Sequence, residues 1–505
     1  MSGHTYAEAV ESLNSLQSNA ATLEAVRASG GRLSQFAIPE MLEYLGRIGY
    51  KPERLNDLNV IHITGTKGKG STSAFTDSMV RHAKPDWKVG LYTSPHLVAV
   101  RERIRINGEP ISEELFTKYF FEIWDKLQEN TTRALEQTSF MPGYFRFITL
   151  LAFHAFLEEK VNATILEVGV GGTYDSTNIV PKPVATGITA LGIDHVAVLG
   201  KTIEEIAWQK GGIYKEGVPA STVNQPENAM KVVKERAAEL KASSFTIVEQ
   251  PPQLASVKLG LAGKHQIENA TLALHLARTF LERQAGMTFP ESEPIPQVLA
   301  RGLELTKWPG RCQQVEDPNR ENTSWFLDGA HTVESLQCCF GWFASPGVGL
   351  LGSVESASKP FRVLIFNCTS GRSGDAFLST ALETIKSKLS ALGSQETVEP
   401  FFDKVIFCTN ITYTDGHFKG DLINKTIDEK DLAALKTQHQ LASAWSALLP
   451  QFPEPNILVL PSIQHAIQHV EDLKTDLRLV QILVSGSLHL VGGVIEVAGL
   501  SKVAL

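Results

Sequence analysis

Apolar positions along the chain follow two rhythms. Helical spacing governs residues 5–16, where Tyr6, Ala9, Val10, Leu13 and Leu16 are apolar, and residues 39–48, where Met41, Leu42, Leu45 and Ile48 are. An alternating apolar run at 59–63 and a short run at 88–91 read as strands. The runs at 163–172 and 184–191 are apolar on both faces, as central parallel strands are. Between them lie helix-compatible segments at 71–81 and 145–160. Another opens at Thr202, which forms a capping-box pattern with Glu205, and a further one runs from 263 to about 283. Residues 246–249 look strand-like. Strand–helix alternation of this kind predicts an α/β fold with a doubly wound parallel sheet. At Trp308-Pro309-Gly310-Arg311 the rhythm breaks, which marks a hinge or linker. It restarts with strands at 324–327, 361–367, 404–408, 457–460 and 480–484, the last leading into Ser485-Gly486-Ser487 and a helix. Inserts at 344–359 and 390–402 read as surface loops. Residues 101–108 alternate basic and apolar side chains, the pattern of a half-exposed strand with a basic face, which reads either as a solvated edge or as a contact for an anionic substrate.

The polar residues that change this picture sit at strand ends. The strand at 59–63 runs into Thr64-Gly65-Thr66-Lys67-Gly68-Lys69-Gly70-Ser71 and then a helix. Strand, glycine turn, lysine and helix N-terminus are the parts of a phosphate cradle. The match to G-x-x-x-x-G-K-[ST] is imperfect: Ile63 stands at the first glycine position, and Gly70 separates Lys69 from Ser71. An ordinary glycine-rich turn remains the alternative. The next strand ends in Tyr92-Thr93-Ser94-Pro95-His96, which is also what a plain Ser-Pro turn would look like. Glu167 interrupts the apolar run at 163–172, where a carboxylate is costly unless paired or bound to a metal. Asp175 and Asn178 follow in a polar loop. The run at 184–191 ends in Gly192-Ile193-Asp194-His195, and His195 alone reads equally as a structural histidine. Oxygen and imidazole donors gathered beside a phosphate loop suit Mg2+.

Composition narrows the classes. At 505 residues two or three domains are expected, and 43% hydrophobic with 20% charged residues is ordinary for a globular chain. A formal net charge of -8 argues against nucleic acid as the main partner. The five cysteines, Cys312, Cys338, Cys339, Cys368 and Cys408, contain no C-x-x-C pair and read as reduced thiols. No apolar run reaches the ~18–20 residues of a membrane span. Residues 1–17 lack the apolar core of a secretory signal, and Glu8 and Glu11 oppose a mitochondrial presequence. A cytoplasmic protein is expected, with a mitochondrial form from an alternative start left open.

Taken in order, several motifs resemble one family. They are His62-Ile63-Thr64-Gly65-Thr66-Lys67-Gly68-Lys69-Gly70-Ser71, Thr93-Ser94-Pro95-His96-Leu97, Pro142-Gly143-Tyr144-Phe145-Arg146-Phe147, Leu166-Glu167-Val168-Gly169, Gly192-Ile193-Asp194-His195, Trp308-Pro309-Gly310-Arg311 and Asp328-Gly329-Ala330-His331-Thr332. The ordered set resembles the folylpolyglutamate synthases of the eukaryotic type, in the Mur ligase superfamily, over almost the whole chain. The resemblance implies a P-loop ATPase-like doubly wound domain over residues 1–310 that binds ATP. It also implies a smaller Rossmann-like glutamate-ligase domain over 311–505. It makes both departures of the glycine loop family features and assigns Gly65 through Ser71 to the nucleotide. Ser94 and Glu167 would hold one Mg2+ and His195 a second. Lys210 is similar to a lysine that is carbamylated in the superfamily; without the resemblance it reads as an exposed helical lysine. Asn269 and Arg311 resemble contacts to adenine and phosphate, and Asp328 and His331 resemble residues near the nucleotide and the incoming amino acid. Lys69, His195, Lys210, Asp328 and His331 form the implied catalytic set.

The implied reaction joins free L-glutamate to the γ-carboxylate of a reduced, polyglutamylated folate through an acyl phosphate, with ATP as donor. A monomer is expected, and the resemblance leaves room for a monovalent cation such as K+. Rival readings are a dihydrofolate synthase, a bifunctional enzyme, a Mur-type cell-wall ligase and a non-catalytic nucleotide switch. The switch would not need Glu167, His195 and Lys210.

Overall fold

The computed structural model describes all residues except 1–2, 18–35, 291, 292, 294, 351–358, 369–373, 418, 423–433 and 474–478. The chain divides into two compact units: Met1–His96, Val100–Gly260 and Lys264–Lys307 form the first, and Leu97–Ala99, Leu261–Gly263 and Trp308–Leu505 the second.

The first unit carries strands β1 (Val60–Thr64), β2 (Val89–Tyr92), β3 (Ile104–Ile106), β4 (Glu109–Pro110), β5 (Ala163–Glu167), β6 (Ala185–Ile188), β7 (Pro219–Thr222) and β8 (Ser244–Ile247). Its helices are α1 (Tyr6–Ser15), α2 (Ala37–Arg47), α3 (Lys69–Ala83), α4 (Glu113–Glu129), α5 (Tyr144–Glu158), α6 (Ile203–Gly211), α7 (Glu227–Glu239), α8 (Gln266–Ala285) and α9 (Gln297–Leu305). Sheet order is β4-β3-β2-β5-β1-β6-β7-β8. From β2 to β8 every pairing is parallel, and β3 and β4 close one edge antiparallel. β1 is central and buried at all five positions. Its neighbours β5 and β6 lie on opposite sides. Chain direction across the sheet therefore reverses around β1, and the crevice beyond its carboxyl end is where such folds bind ligands. Val60, Tyr92 and Leu166 join the core built with α1, α2, α4 and α5. The alternate residues Ile61, Ile63, Leu91 and Ile165 are buried outside that cluster, toward the face on which α3 packs. A period-2 strand buried on both faces must be apolar throughout, which is why these runs lack alternation.

The second unit carries β9 (Gln313–Glu316), β10 (Thr323–Leu327), β11 (Phe361–Phe366), β12 (Lys404–Cys408), β13 (Ile457–Leu460) and β14 (Val480–Ser485) in the order β13-β12-β11-β14-β10-β9. Only β9 is antiparallel. Its longer described helices are α10 (Val333–Phe343), α11 (Gly374–Ala391), α12 (Lys436–Leu448), α13 (Ile463–Glu471) and α14 (Leu488–Val497). Phe326, Leu364, Phe366, Val405, Phe407 and Leu483 pack on one face of the sheet. Trp325, Leu327, Val363, Ile365, Ile406, Ile482 and Val484 pack on the other. The fold is thus mixed α/β with two sheets in which parallel pairing dominates. All five cysteines are free thiols.

Several expectations are corrected. Residues 101–108 do not present a basic face to solvent. The segment forms a short turn of helix, Val100–Arg103, then β3, and Glu102, Arg103 and Arg105 are each only 5% exposed. Arg103 Nε donates to His96 Nδ1 at 3.0 Å, and its guanidinium lies 5.9 and 5.5 Å from the rings of Tyr144 and Phe145. Aromatic faces offset part of the desolvation cost of a buried cation. Glu167 does not interrupt a strand; it ends one, because β5 stops there and 168–172 is loop. Residues 390–402 are not wholly a surface loop. Phe401 and Phe402 are buried, and Phe402 stacks on Phe343 at 5.9 Å and 3°. Of the insert at 344–359, Ala344 is buried and 351–358 lie outside the described residues, as do 369–373 after β11. Lys210 is not an exposed helical lysine, being 3% exposed. Strand β8 is two residues earlier than the pattern placed it. Strands β7 and β9, sequences PAST and QQVE, carry no apolar run and went unpredicted.

Candidate functional site

The glycine turn begins where β1 ends. Gly65 has φ +150 and Gly68 φ +89, and a Cβ on Gly68 would lie 2.0 Å from Asn269 Oδ1. Only glycine meets both the left-handed backbone and that approach at Gly68. The turn is tied to the end of β6. The amides of Thr66 and Lys67 both donate to Ala190 O, at 3.0 and 3.1 Å, and Thr189 Oγ1 donates to Lys67 O at 2.6 Å. Thr66 Oγ1 also donates to Gly192 O at 3.0 Å. Two amides that the sequence assigned to an anion are therefore committed to protein. The remaining cradle is the first turn of α3, where Lys69, Gly70 and Ser71 have no carbonyl four residues back within the helix.

Two lysines meet at this turn. Lys69 Nζ donates to Gly65 O at 3.0 Å, and Lys210 Nζ, from α6, donates to the same oxygen at 2.7 Å. Burial, and then the Lys69 charge, push the Lys210 amine down to about 7. The local sequence explains how α6 delivers it. The Thr202 capping box fixes the helix start, with Glu205 bonding back to the Thr202 amide at 3.1 Å. At the other end Gln209 O accepts from Thr173 N at 2.7 Å and Thr173 Oγ1 at 2.9 Å. Asn178 Nδ2 bridges Thr173 O and Gly212 O at 3.1 and 3.0 Å.

Ser94 and Glu167 come from the ends of adjacent parallel strands. Ser94 N donates to Glu167 Oε2 at 3.1 Å, and Glu167 is 3% exposed. His195 lies within electrostatic reach of Lys69 and Lys210. It is half-exposed, has φ +49, and its Nε2 is 3.9 Å from Asp194 Oδ2; burial holds its pKa below the usual value. Among the described residues, no three His, Cys, Asp or Glu side chains are grouped to hold a metal. Asn269, 4% exposed, donates from Nδ2 to Gln266 Oε1 at 2.9 Å, and Gln266 Nε2 reaches Ser71 Oγ at 3.3 Å. Gln266 was missed from sequence, although it sits one helical turn before Asn269. Gln225 was missed too. Its side chain accepts from Leu191 N at 2.9 Å and donates to Thr189 O at 2.9 Å, fixing the β6 end that holds the glycine turn.

The remaining expected residues lie in the second unit. Asp328, 6% exposed, directly follows β10. Its Oδ2 accepts from Cys312 N at 2.6 Å and its Oδ1 from Ala330 N at 2.8 Å. Arg311 Nη1 donates to Gly310 O at 3.1 Å, and Gly329 N donates to that oxygen at 3.0 Å. His331 Nδ1 lies 2.8 Å from Gly329 O, just before the Thr332 cap of α10. Burial pushes the thiol pKa of Cys312 and Cys339 well up, and the Asp328 charge adds to it. The structure brings Arg311, Asp328 and His331 together here, and Lys69, Lys210, Ser94, Glu167 and Asn269 together at the carboxyl ends of β1, β2 and β5 in the first unit.

No family model matches the chain. A folylpolyglutamate synthase of Saccharomyces cerevisiae (strain YJM789) is 43% identical over 510 residues, covering 98% of this chain and 87% of the relative. The strain FostersO protein of the same name is 43% identical over 508 residues, again covering 98% and 87%. Among solved structures, Mycobacterium tuberculosis folylpolyglutamate synthase complexed with ADP and AMPPCP aligns at TM-score 0.64 and 24% identity, covering 92% of this chain and 95% of that one. The apo form of L. casei FPGS aligns at TM-score 0.66 and 22% identity, covering 98% and 99%. The structural likenesses speak to the fold, which they share across both units. With 43% identity across 98% of its length to a curated member, the chain belongs to the folylpolyglutamate synthase family.

Proposed function

We propose that this chain is an ATP-dependent ligase that adds L-glutamate to the γ-carboxylate of reduced folate polyglutamates through an acyl phosphate. The observation that carries the reading is the convergence of Lys69 and Lys210 on Gly65 O, beside a helix N-terminus. Family membership supports it, as does the naming of ATP analogue and folate in the FPGS-AMPPCP-folate complex of the same fold. In this reading residues 1–310 form the ATP-binding domain and 311–505 the glutamate-ligase domain.

Lys69 turns its ammonium from Gly65 O to the β- and γ-phosphates, and the first-turn amides of α3 hold the same anion. Asn269 and Arg311 contact the nucleotide. The donors at the neighbouring strand ends are oxygens, which fits Mg2+. Ser94 and Glu167 would hold one ion, and His195 with Lys210, as a carbamate, would hold the second. Bound there, Mg2+ supplies positive charge against the repulsion between carboxylate and polyphosphate. An amine titrating at about 7 is substantially neutral near physiological pH. It can therefore add CO2, lose a proton and become a carbamate, changing a cation into an oxygen donor. A folate γ-carboxylate oxygen attacks the γ-phosphorus and ADP leaves. The glutamate amine, oriented by Asp328 and His331, then attacks the activated carbonyl, phosphate leaves, and the amine gives up its proton. The chain works as a monomer in the cytoplasm, with K+ as an optional monovalent activator. No described helix is long and apolar enough to cross a membrane.

With MgATP, the purified chain should release ADP only when both L-glutamate and a reduced folate are present. ADP release that needs neither would overturn the reading in favour of a nucleotide switch. Turnover with dihydropteroate in place of folate would move it to dihydrofolate synthase.

A further inference from the structure

His62 is an odd residue for its place. It sits in the middle of β1 at 0% exposure, flanked along the strand by Ile61 and Ile63. Its Nε2 lies 2.9 Å from Thr177 Oγ1. That hydroxyl donates to Asp175 Oδ1 at 2.6 Å, and the Thr177 amide donates to the same oxygen at 3.0 Å. A hydroxyl has one proton, and here it is given to a carboxylate. Thr177 Oγ1 must then accept from His62, so the imidazole carries its proton on Nε2. Nδ1 is left as a bare acceptor, buried with no hydrogen-bond partner among the described residues. Burial, with Lys215 adding to it, pushes the imidazole pKa down to about 3, consistent with a neutral ring. A leucine would fill this site without the cost of an unmet buried nitrogen. Packing therefore does not explain the histidine, whereas its hydrogen bond does.

The bond leads to the site. Asp175 Oδ2 accepts from Val170 N at 3.1 Å. It lies 3.2 Å from where a Cβ on Gly169 would stand, and Ser94 Oγ lies 4.0 Å from that point. Asp175 thus pins the turn that leaves Glu167, on the side where Ser94 arrives. Its charge also reaches Lys210, whose amine pKa it raises against the effect of burial. We propose that His62 and Thr177 are positioning residues, a buried relay from the central strand that fixes the Asp175 carboxylate and, through it, the turn after Glu167 at the nucleotide corner. The inference rests on the ligase reading of that corner. By donating to Thr177 Oγ1, His62 orients that hydroxyl so that its single proton points at Asp175. Losing the hydroxyl leaves the carboxylate held only by the amides of Thr177 and Val170, and losing His62 leaves the hydroxyl without the donor that orients it.

Four variants of the full chain test this: His62→Leu, His62→Gln, Thr177→Val and Thr177→Ser. Three readouts are needed: KM for MgATP against kcat, the Kd of a non-hydrolysable ATP analogue with Mg2+ by calorimetry, and the thermal midpoint. Thr177→Val and His62→Leu should raise both KM and Kd about tenfold, the effect of losing a hydrogen bond to a charged group. His62→Gln and Thr177→Ser, which keep a donor in place, should stay within about threefold of the parent. Thr177→Val is nearly isosteric, so the test survives if His62→Leu fails to fold. Equal losses in all four, parent-like nucleotide binding in Thr177→Val, or a fall in kcat with KM and Kd unchanged would each overturn the relay. A parent chain that binds nucleotide but never ligates folate would sink the ligase reading instead, and the calorimetric comparison would still decide the relay.

Discussion

The two units treat charge in opposite ways. In the first, two lysine side chains converge on a single carbonyl, Gly65 O. In the second, two backbone amides, from Cys312 and Ala330, converge on a single carboxylate, Asp328. The second arrangement is satisfied: each carboxylate oxygen has a donor, and the loop from 310 to 312 is tied to the end of β10. The first is not. Each lysine has three donors and shares one acceptor with the other; burial, and then the Lys69 charge, lower the Lys210 pKa, and the pair suits an anion. Cations gathered on one carbonyl suit an anionic ligand, whereas amides gathered on one carboxylate hold backbone in place.

The sharpest way to break this contrast is Lys69→Ala. If Lys69 exists to meet the phosphates, kcat/KM for ligation should fall by about a thousandfold or more while circular dichroism and thermal midpoint stay close to the parent. A folded variant with near-normal turnover would refute the role. Lys210→Ala should lose about a hundredfold or more, and added short carboxylates should restore part of it by standing in for the carbamate. Full activity without rescue would leave the buried amine unexplained. On the other side of the comparison, Asp328→Asn should act on stability first. Replacing a carboxylate that accepts two backbone amides weakens both bonds, and denaturant unfolding of the second unit should show a loss of about 2–3 kcal/mol. A variant as stable as the parent would mean the corner is not held by Asp328.

The smallest effect concerns pH. The folded His62 pKa lies near 3, below the ~6.5 of an unfolded histidine, so the unfolded chain takes up the proton first. Its contribution is fully present above about pH 6.5 and is lost as pH falls toward 3. Between pH 7 and 5 the parent should lose about 2 kcal/mol more stability than His62→Gln, measured by denaturant melts at each pH. Equal pH slopes would show that His62 has the same pKa folded and unfolded, which would contradict its burial as a neutral ring.

How much could be read from the sequence depended on the physics at each residue. Gly65 and Gly68 were legible because their backbone angles leave few other residues. Glu167 was legible because a carboxylate beside an apolar run is expensive. The capping box of α6 was legible at Thr202 and Glu205, and the structure has it. Lys210 was not legible from its own surroundings, since nothing local distinguishes a buried helical lysine from a solvated one; only the likeness to a family pointed to it. Arg103 and Arg105 were misread because alternating charge looks the same whether it meets water, the rings that Arg103 faces or the Gly108 carbonyl that Arg105 bonds. Phe401 and Phe402 were misread because a turn-rich insert hid two core residues. The short strands β7 and β9 gave no periodic signal. The relay from His62 through Thr177 to Asp175 joins residues 62 and 177, and no spacing rule links positions that distant in the chain.

The most direct test of the central claim is the mass of the product. Purified chain incubated with ATP, Mg2+ and L-glutamate should convert tetrahydrofolate into a ladder of species, each heavier by one glutamyl residue, with ADP released in equal number to residues added. A chain that hydrolyses ATP without extending the folate, or that extends dihydropteroate alone, would contradict the account.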